Sequence, residues 1–323
     1  MLNLILLAVS SFNGVSPAPP PETESVLWTE PKPKTVTDWI WGPGGKAKAP
    51  LPPFYFVKES LSGTNPKIEV RDAAGARWVV KFGGEVHSET FAARLLDATG
   101  YFTTPIYFVS EGVVMGVDRL KRAKPFISRQ GKFRAGRFQL RDDRGTALAK
   151  DLGWTWPENP FVGTSVLNGL KILMILMSNW DAKDARDGNG ANTAVFVQPG
   201  PHSAIRHFAF TDWGACLGSW GGFLKHNRWD LAAYERQTHE FVRGIRDGNI
   251  VWGYTGKHNR DLTEGITVEN VRWILPYLSR ITGKQLRAGL IASGATAANA
   301  DGFTRSIQNR IIQLRRVAVL EVH

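Results

Sequence analysis

The chain has 323 residues, 43% of them hydrophobic, with 40 Lys and Arg against 29 Asp and Glu and a formal net charge of +11. That length and apolar content allow one large domain or two lobes sharing a cleft, and the basic balance favours anionic partners such as nucleotides, phosphorylated lipids or nucleic acid. The one cysteine, Cys216, excludes an intrachain disulfide and a cysteine metal cluster, and reads as a small packed residue rather than a nucleophile.

Residues 2 to 9 form a short apolar run, and Ser16-Pro17-Ala18 follow as small residues. Residues 1–18 therefore resemble a signal peptide, although they lack a basic start, and the run is too short to span a bilayer. Both a cytoplasmic and an exported location stay open. Residues 19–53 are a proline-rich arm carrying Trp28, Trp39 and Trp41. Exposed indoles are costly, so the arm is expected to pack on the domain; an aromatic or sugar ligand held by these tryptophans is the alternative. From Phe54 the pattern becomes a meander of short strands: Phe54 to Val57, Ile68 to Val70 and Trp78 to Phe82, with turns at Ser62–Lys67 and Asp72–Gly75. Glu85 to Ala98 reads as a helix ended by Gly100, with Phe91, Leu95 and Leu96 on its apolar stripe. Two further strands are expected at 104–109 and 112–117, and Asp118-Arg119 leaves the sheet where a hinge would begin.

Residues 121–150 are basic and mixed, with no clear period. Trp154 to Phe161 is a rigid aromatic turn before a long apolar helix, Val166 to Met177. A polar loop follows, then a strand from Thr193 to Val197, a Pro-Gly-Pro turn, and a return strand, His207 to Thr211, which delivers Asp212-Trp213-Gly214. Segments 229–243, 268–281, 284–292 and 303–318 read as helices, with Arg272, Arg280, Arg287 and Arg310 on solvent-facing sides. There is no internal repeat, zinc-ligand spacing, recognition-helix pattern or RNA-binding signature, so no specific nucleic-acid motif accompanies the positive charge.

Two groups of residues carry chemistry. Lys81 ends an apolar strand, where a charge is unusual; it can project into a cleft and pair with phosphates and a carboxylate. Glu85 and Glu89 share one helix face. Glu89, followed directly by the apolar stripe, is the better partner for Lys81. Downstream, Asp181 lies in a loop where it could accept a hydroxyl proton, and Lys183 could reach a transferred phosphate. Asn192 and Asp212 offer the hard oxygens that Mg²⁺ prefers, and Gly214 gives the turn backbone freedom.

Taken together, the two groups resemble the atypical kinase superfamily, nearest the HipA-like kinases and the phosphoinositide 3- and 4-kinase fold. Ser62-Gly63-Thr64-Asn65-Pro66-Lys67 resembles the HipA-like phosphate-loop turn, Trp78 to Phe82 the strand with the nucleotide-binding lysine, and Glu85 to Leu96 the helix with its glutamate. Asn179-Trp180-Asp181-Ala182-Lys183 is similar to the catalytic loop and Asp212-Trp213-Gly214 to the metal-binding turn. The resemblance covers roughly residues 54–216. It implies ATP and Mg²⁺, with Ser62, Gly63, Lys67 and Lys81 on the nucleotide, Glu89 orienting Lys81, Asp181 as base and Asn192 and Asp212 as metal ligands.

The sequence departs from that pattern in three places. Asn192 lies eleven residues after Asp181 rather than about five, which reads as an insertion over Ala185–Ala191 and leaves Asn189 as the competing ligand. Trp213 replaces the usual phenylalanine, and no full glycine-rich loop is present.

The expected architecture is α+β: a two-lobed protein-kinase-like fold, with a small antiparallel sheet lobe over 54–120 and a larger helical lobe over 121–323. The expected function is an atypical kinase moving the ATP γ-phosphate to a hydroxyl of a protein, lipid or small molecule. The alternative is a pseudokinase acting as a nucleotide-binding or scaffolding module.

Overall fold

The computed structural model describes residues 23–319, except 142–144, 150, 151, 189, 201, 202 and 223. The signal-like segment and Asn189 lie outside the described residues. The fold is mixed α/β. Its first half is a closed barrel of five strands: β1 (Glu24–Val26) and α1 (Val36–Trp41) precede it, and β2 (Phe54–Ser60), β3 (Lys67–Arg71), β4 (Arg77–Lys81), β5 (Ile106–Met115) and β6 (Lys132–Leu140) form it in the order β2-β3-β4-β6-β5. Between β4 and β5 runs α2 (Val86–Ala98). Where an antiparallel sheet is expected, β2 also pairs with β5 in parallel, Phe54 opposite Val114, and this pairing closes the barrel. Closure removes sheet edges that would otherwise need covering.

Alternation fills the barrel. Trp78 and Val80 on β4, Ile68 and Val70 on β3, and Phe133 and Phe138 on β6 are buried in one apolar cluster. The β3–β4 turn is organised by Asp72, which accepts hydrogen bonds from the backbone N–H groups of Ala74 and Ala76 and from Trp78 Nε1. Because side chains alternate, Lys81 falls on the opposite face from Trp78 and Val80.

Two features of the barrel differ from the sequence expectation. The strands at 104–109 and 112–117 are one continuous β5, since Ser110 and Glu111 are simply its exposed residues. The barrel also continues past residue 120: β6, in the stretch with no clear period, supplies its fifth strand. Ala135 adopts a left-handed backbone (φ 54) in mid-strand, which breaks the two-residue alternation there.

The rest of the chain builds a second apolar core. It comprises β7 (Ala147–Leu148), α3 (Ser165–Leu176), β8 (Thr193–Pro199), β9 (Ala204–Phe210), β10 (Ser219–Trp220), β11 (His226–Asn227), α4 (Leu231–Thr238), β12 (Val242–Arg246), β13 (Asn249–Trp252), α5 (Asn259–Thr263), α6 (Val268–Ser279), α7 (Gly283–Ala292) and α8 (Ala297–Ala318). Capping boxes start α6, Thr267 with Asn270, and α7, Thr282 with Gln285. The helix expected across 229–243 stops at Thr238, and its last residues are β12, paired with β13.

The arm packs on this core. β1 joins β9 in parallel, extending the sheet β1-β9-β8-β7. Trp39 is buried, and Trp28 donates to Thr99 O at 2.7 Å while meeting Trp273 and Tyr277 edge-on.

Arg310 corrects an expectation outright: it does not face solvent but is 1% exposed. Its guanidinium reaches Leu176 O at 2.9 Å, Tyr234 O at 3.0 Å and Ser178 Oγ at 2.8 Å. A cation suits the carbonyl-rich C-terminal ends of α3 and α4. Among the described residues, no helix is long and apolar enough to cross a membrane.

Candidate functional site

The site forms where α2 meets the barrel. The stripe of Phe91, Leu95 and Leu96 anchors α2 in the second core; the helix packs on β5 and β6 of the barrel, and its glutamates reach Lys81 at the end of β4. On the two neighbouring strands Lys81 is directly opposite Lys67 on β3 and Arg137 on β6. Three cations in one register repel one another, which destabilises a sheet unless anions compensate.

Glu89 supplies most of that compensation. It pairs with Lys81, and its second oxygen faces Arg137 Nε at 2.8 Å, an ion pair without a hydrogen-bonding angle. Glu85 sits at the N-cap of α2 without capping it, so its carboxylate is free to turn back to Lys81 at 3.0 Å and to join Asn65 and Arg228. Glu89 was expected to be the partner of Lys81; Glu85, on the same helix face, shares that role.

Burial opposes the charge on Lys81, but Glu89, Asp212 and Glu85 outweigh it and Arg137 and hold its pKa above the usual lysine value. Burial also pushes the Glu89 carboxyl up, against the pull of Arg137 and Lys81. Lys67 has no ion-pair partner among the described residues. Burial, then the fields of Lys81, Arg137 and Arg122, pull its pKa down. The row therefore retains an uncompensated positive end.

That end lies beside the turn 62–66. A Cβ on Gly63 (φ 75) would stand 3.3 Å from Lys67 Nζ. Arg122 pins the turn by donating to Leu61 O at 3.0 Å, Gly63 O at 2.7 Å and Thr64 O. Arg122 is itself held by Glu59, which accepts its backbone N–H and those of Lys121 and Ala123. Ser62 is exposed, with its hydroxyl 3.1 Å from that of Ser60.

Asp212 reaches the same place from β9. Its Oδ1 accepts the Gly214 N–H at 2.9 Å, and Gly214 O accepts from Ser88 Oγ on α2 at 3.0 Å. Glycine is required at 214, because a Cβ there would lie 2.5 Å from Glu85 Cγ and Cδ. Carboxylate oxygens of Glu85, Glu89 and Asp212 lie within 4.8 Å of one another and could hold a cation.

Asn179 ties in the loop after α3 by donating to Asp212 O at 3.1 Å. Asp181 Oδ2 faces Lys257 Nζ at 3.3 Å, and Asn192 donates to Asp181 O at 3.2 Å. Among the described residues, buried Asp181 Oδ1 and Asn179 Oδ1 have no hydrogen-bond partner. Oxygens left so are suited to a hydroxyl or a hard cation. Lys183, expected at the phosphate, instead lies 4.0 Å from Asp187.

Lys81, Glu89, Lys67 and Asp212 are thus brought together, with Asp181 and Asn192 linked to them through Asn179. Reading the sequence alone missed Arg137, Arg228 and Lys257, and placed Asn179 in the loop motif without a role of its own. Arg137 is hidden by the irregular period of β6, whereas Gly256 beside Lys257 is a visible sign of close backbone approach. Comparison with protein-family profiles, curated proteins and solved structures found no match.

Proposed function

We propose that the protein is an ATP-dependent phosphotransferase of the atypical-kinase kind, two-lobed in the sense that its nucleotide lies between barrel and helical part. The acceptor is a hydroxyl of a protein, lipid or small molecule. The observation that carries this reading is the cationic row Lys67–Lys81–Arg137 beside the Asp212 turn, which its carboxylates only partly neutralise. A row with a free positive end suits a polyphosphate better than a neutral ligand.

In this reading Lys81 binds the α- and β-phosphates and Glu89 fixes its direction. Lys67 and the Ser62-Gly63 turn meet the distal phosphates. Asp181 takes the acceptor's proton on its carboxylate, which is partly exposed. Mg²⁺, when bound, neutralises phosphate charge; Asp212, with Asn192 and the neighbouring carboxylates, would hold it. The orphaned buried oxygens and the all-oxygen donor set fit such an ion. A second reading, a nucleotide-binding or scaffolding module without transfer, is favoured by Glu85, which already engages Lys81, Asn65 and Arg228 and must be displaced by an incoming phosphate.

Calorimetry of Mg·ATP binding to wild type and Asp212→Asn tests the reading. Micromolar binding that weakens at least about tenfold in the variant supports it, as expected for losing one charged ligand. A folded wild type that binds no ATP refutes it. Binding with no phosphate transfer to any acceptor, water included, selects the module.

A further inference from the structure

We infer that Lys257, and not Lys183, is the cation that meets the transferred phosphoryl group; the inference rests on the phosphotransferase reading above. Four observations converge on it. First, Lys257 Nζ is 3.3 Å from Asp181 Oδ2, while Lys183 Nζ is turned to Asp187. Oδ1 is buried, so Oδ2 is the carboxylate oxygen that an acceptor hydroxyl can reach, and the lysine stands beside it.

Second, the segment carrying Lys257 is fastened to the loop of Asp181. The Lys257 N–H donates to Trp180 O at 2.9 Å, and Tyr254 Oη donates to Asn179 O. A Cβ on Gly256 would stand 2.2 Å from Tyr254 Oη and 3.2 Å from Trp180 Cα, so only glycine allows this approach. Third, the ammonium lies 5.2 Å from the Trp180 ring centroid and 5.5 Å from that of Trp220, and the two rings are stacked. Indole faces attract a cation without neutralising it. Fourth, the Lys257 side chain is still 32% exposed, so a ligand can reach it.

During transfer the acceptor oxygen forms a bond to the γ-phosphorus while the bond to the β–γ bridging oxygen breaks. ADP leaves with that electron pair, and the acceptor proton passes to the Asp181 carboxylate. Negative charge spread over the γ-oxygens is where a fixed ammonium acts. Lys257 is therefore a catalytic residue supplied from far along the chain, and it holds the Asp181 carboxylate in register at the same time.

The test uses the full chain with Mg·ATP and water as acceptor, reading phosphate release in single-turnover kinetics and ATP affinity by calorimetry. Lys257→Met is expected to slow turnover about 10²–10³-fold, the range for removing one transition-state donor. ATP affinity should stay within about threefold, and Lys257→Arg should recover part of the rate. A merely structural lysine would move the melting temperature instead and would not separate affinity from rate. If wild type hydrolyses ATP and Lys257→Met keeps its rate, or Lys183→Met alone abolishes it, the assignment to Lys257 falls while the phosphotransferase reading stands. A folded wild type that neither binds nor hydrolyses ATP overturns both.

Discussion

Replacing Arg310 by methionine asks whether a buried cation stabilises this fold or only shapes it. Its pKa is lowered from 12.5 to about 10, first by burial, with the field of Tyr234 working the other way. That difference means the charged form is disfavoured by about 3 kcal/mol relative to water, in spite of its donors. The acceptors it would abandon are not left bare. Leu176 O keeps the Tyr234 hydroxyl, Tyr234 O keeps Thr238 Oγ1, and Ile175 O keeps the Ser178 N–H. Methionine fills similar space, returns the desolvation cost and forfeits charge-assisted bonds of about 1.5–3 kcal/mol each, several of which have a substitute donor. The two sides nearly cancel, so Arg310→Met should lie within about 1.5 kcal/mol of wild type. Arg310→Ala has the same polar consequences but opens a cavity, and should lose about 3–5 kcal/mol, as large core truncations do. Urea unfolding followed by fluorescence of the 12 tryptophans measures both. If methionine costs as much as alanine, the guanidinium itself holds the fold together and the reasoning fails.

Glu89→Gln should be far more damaging than its small change in shape suggests. It removes the anion shared by Lys81 and Arg137, and breaking one partner of a buried ion pair costs about 3–5 kcal/mol; a denaturation midpoint equal to wild type would contradict this. Asp184 gives an acid-side prediction. Burial raises its carboxyl, but Arg186 and the backbone N–H groups of Trp156 and Arg186 outweigh that and hold its pKa below 3.8. A depressed carboxylate contributes stability in full above the unfolded value near 3.8 and loses it as pH falls through the folded value. The stability gap between wild type and Asp184→Asn should therefore narrow below pH 3.8 in a pH series of unfolding curves, and a constant gap would show that Asp184 is not so held.

Local pattern announced much of this molecule. The apolar runs of α3 and β4 and the flanking turns leave one element type each, and α2 carries its stripe and its two glutamates in plain view. An unusual charge ending an apolar strand also marked Lys81, from which a pairing with an α2 carboxylate follows, and the structure places Lys81 with both Glu85 and Glu89. Where period failed, so did the reading. β6 is disguised by the left-handed Ala135, and α8 starts at Ala297 under a Thr296 cap, six residues before its apolar stripe suggests.

Arg310 shows the other limit. Periodicity assigns a residue to a helix face, but not what that face meets, and α8 lies against α4 and the end of α3, where carbonyls replace water. The sequence by itself determined the types of β4, α2 and α3, the strand-end lysine, the glutamate face of α2 and the Asp181 and Asp212 loops, because each depends on neighbours a few positions away. Only tertiary structure decided that Lys67, Lys81 and Arg137 share one register, that Glu85 joins them, and that Lys257 stands at Asp181 from 76 residues along the chain. Those facts depend on the pairing of β4 with the distant β6, on the reach of α2 back to β4 and on one glycine-thin contact, and contacts between distant segments leave no period to read.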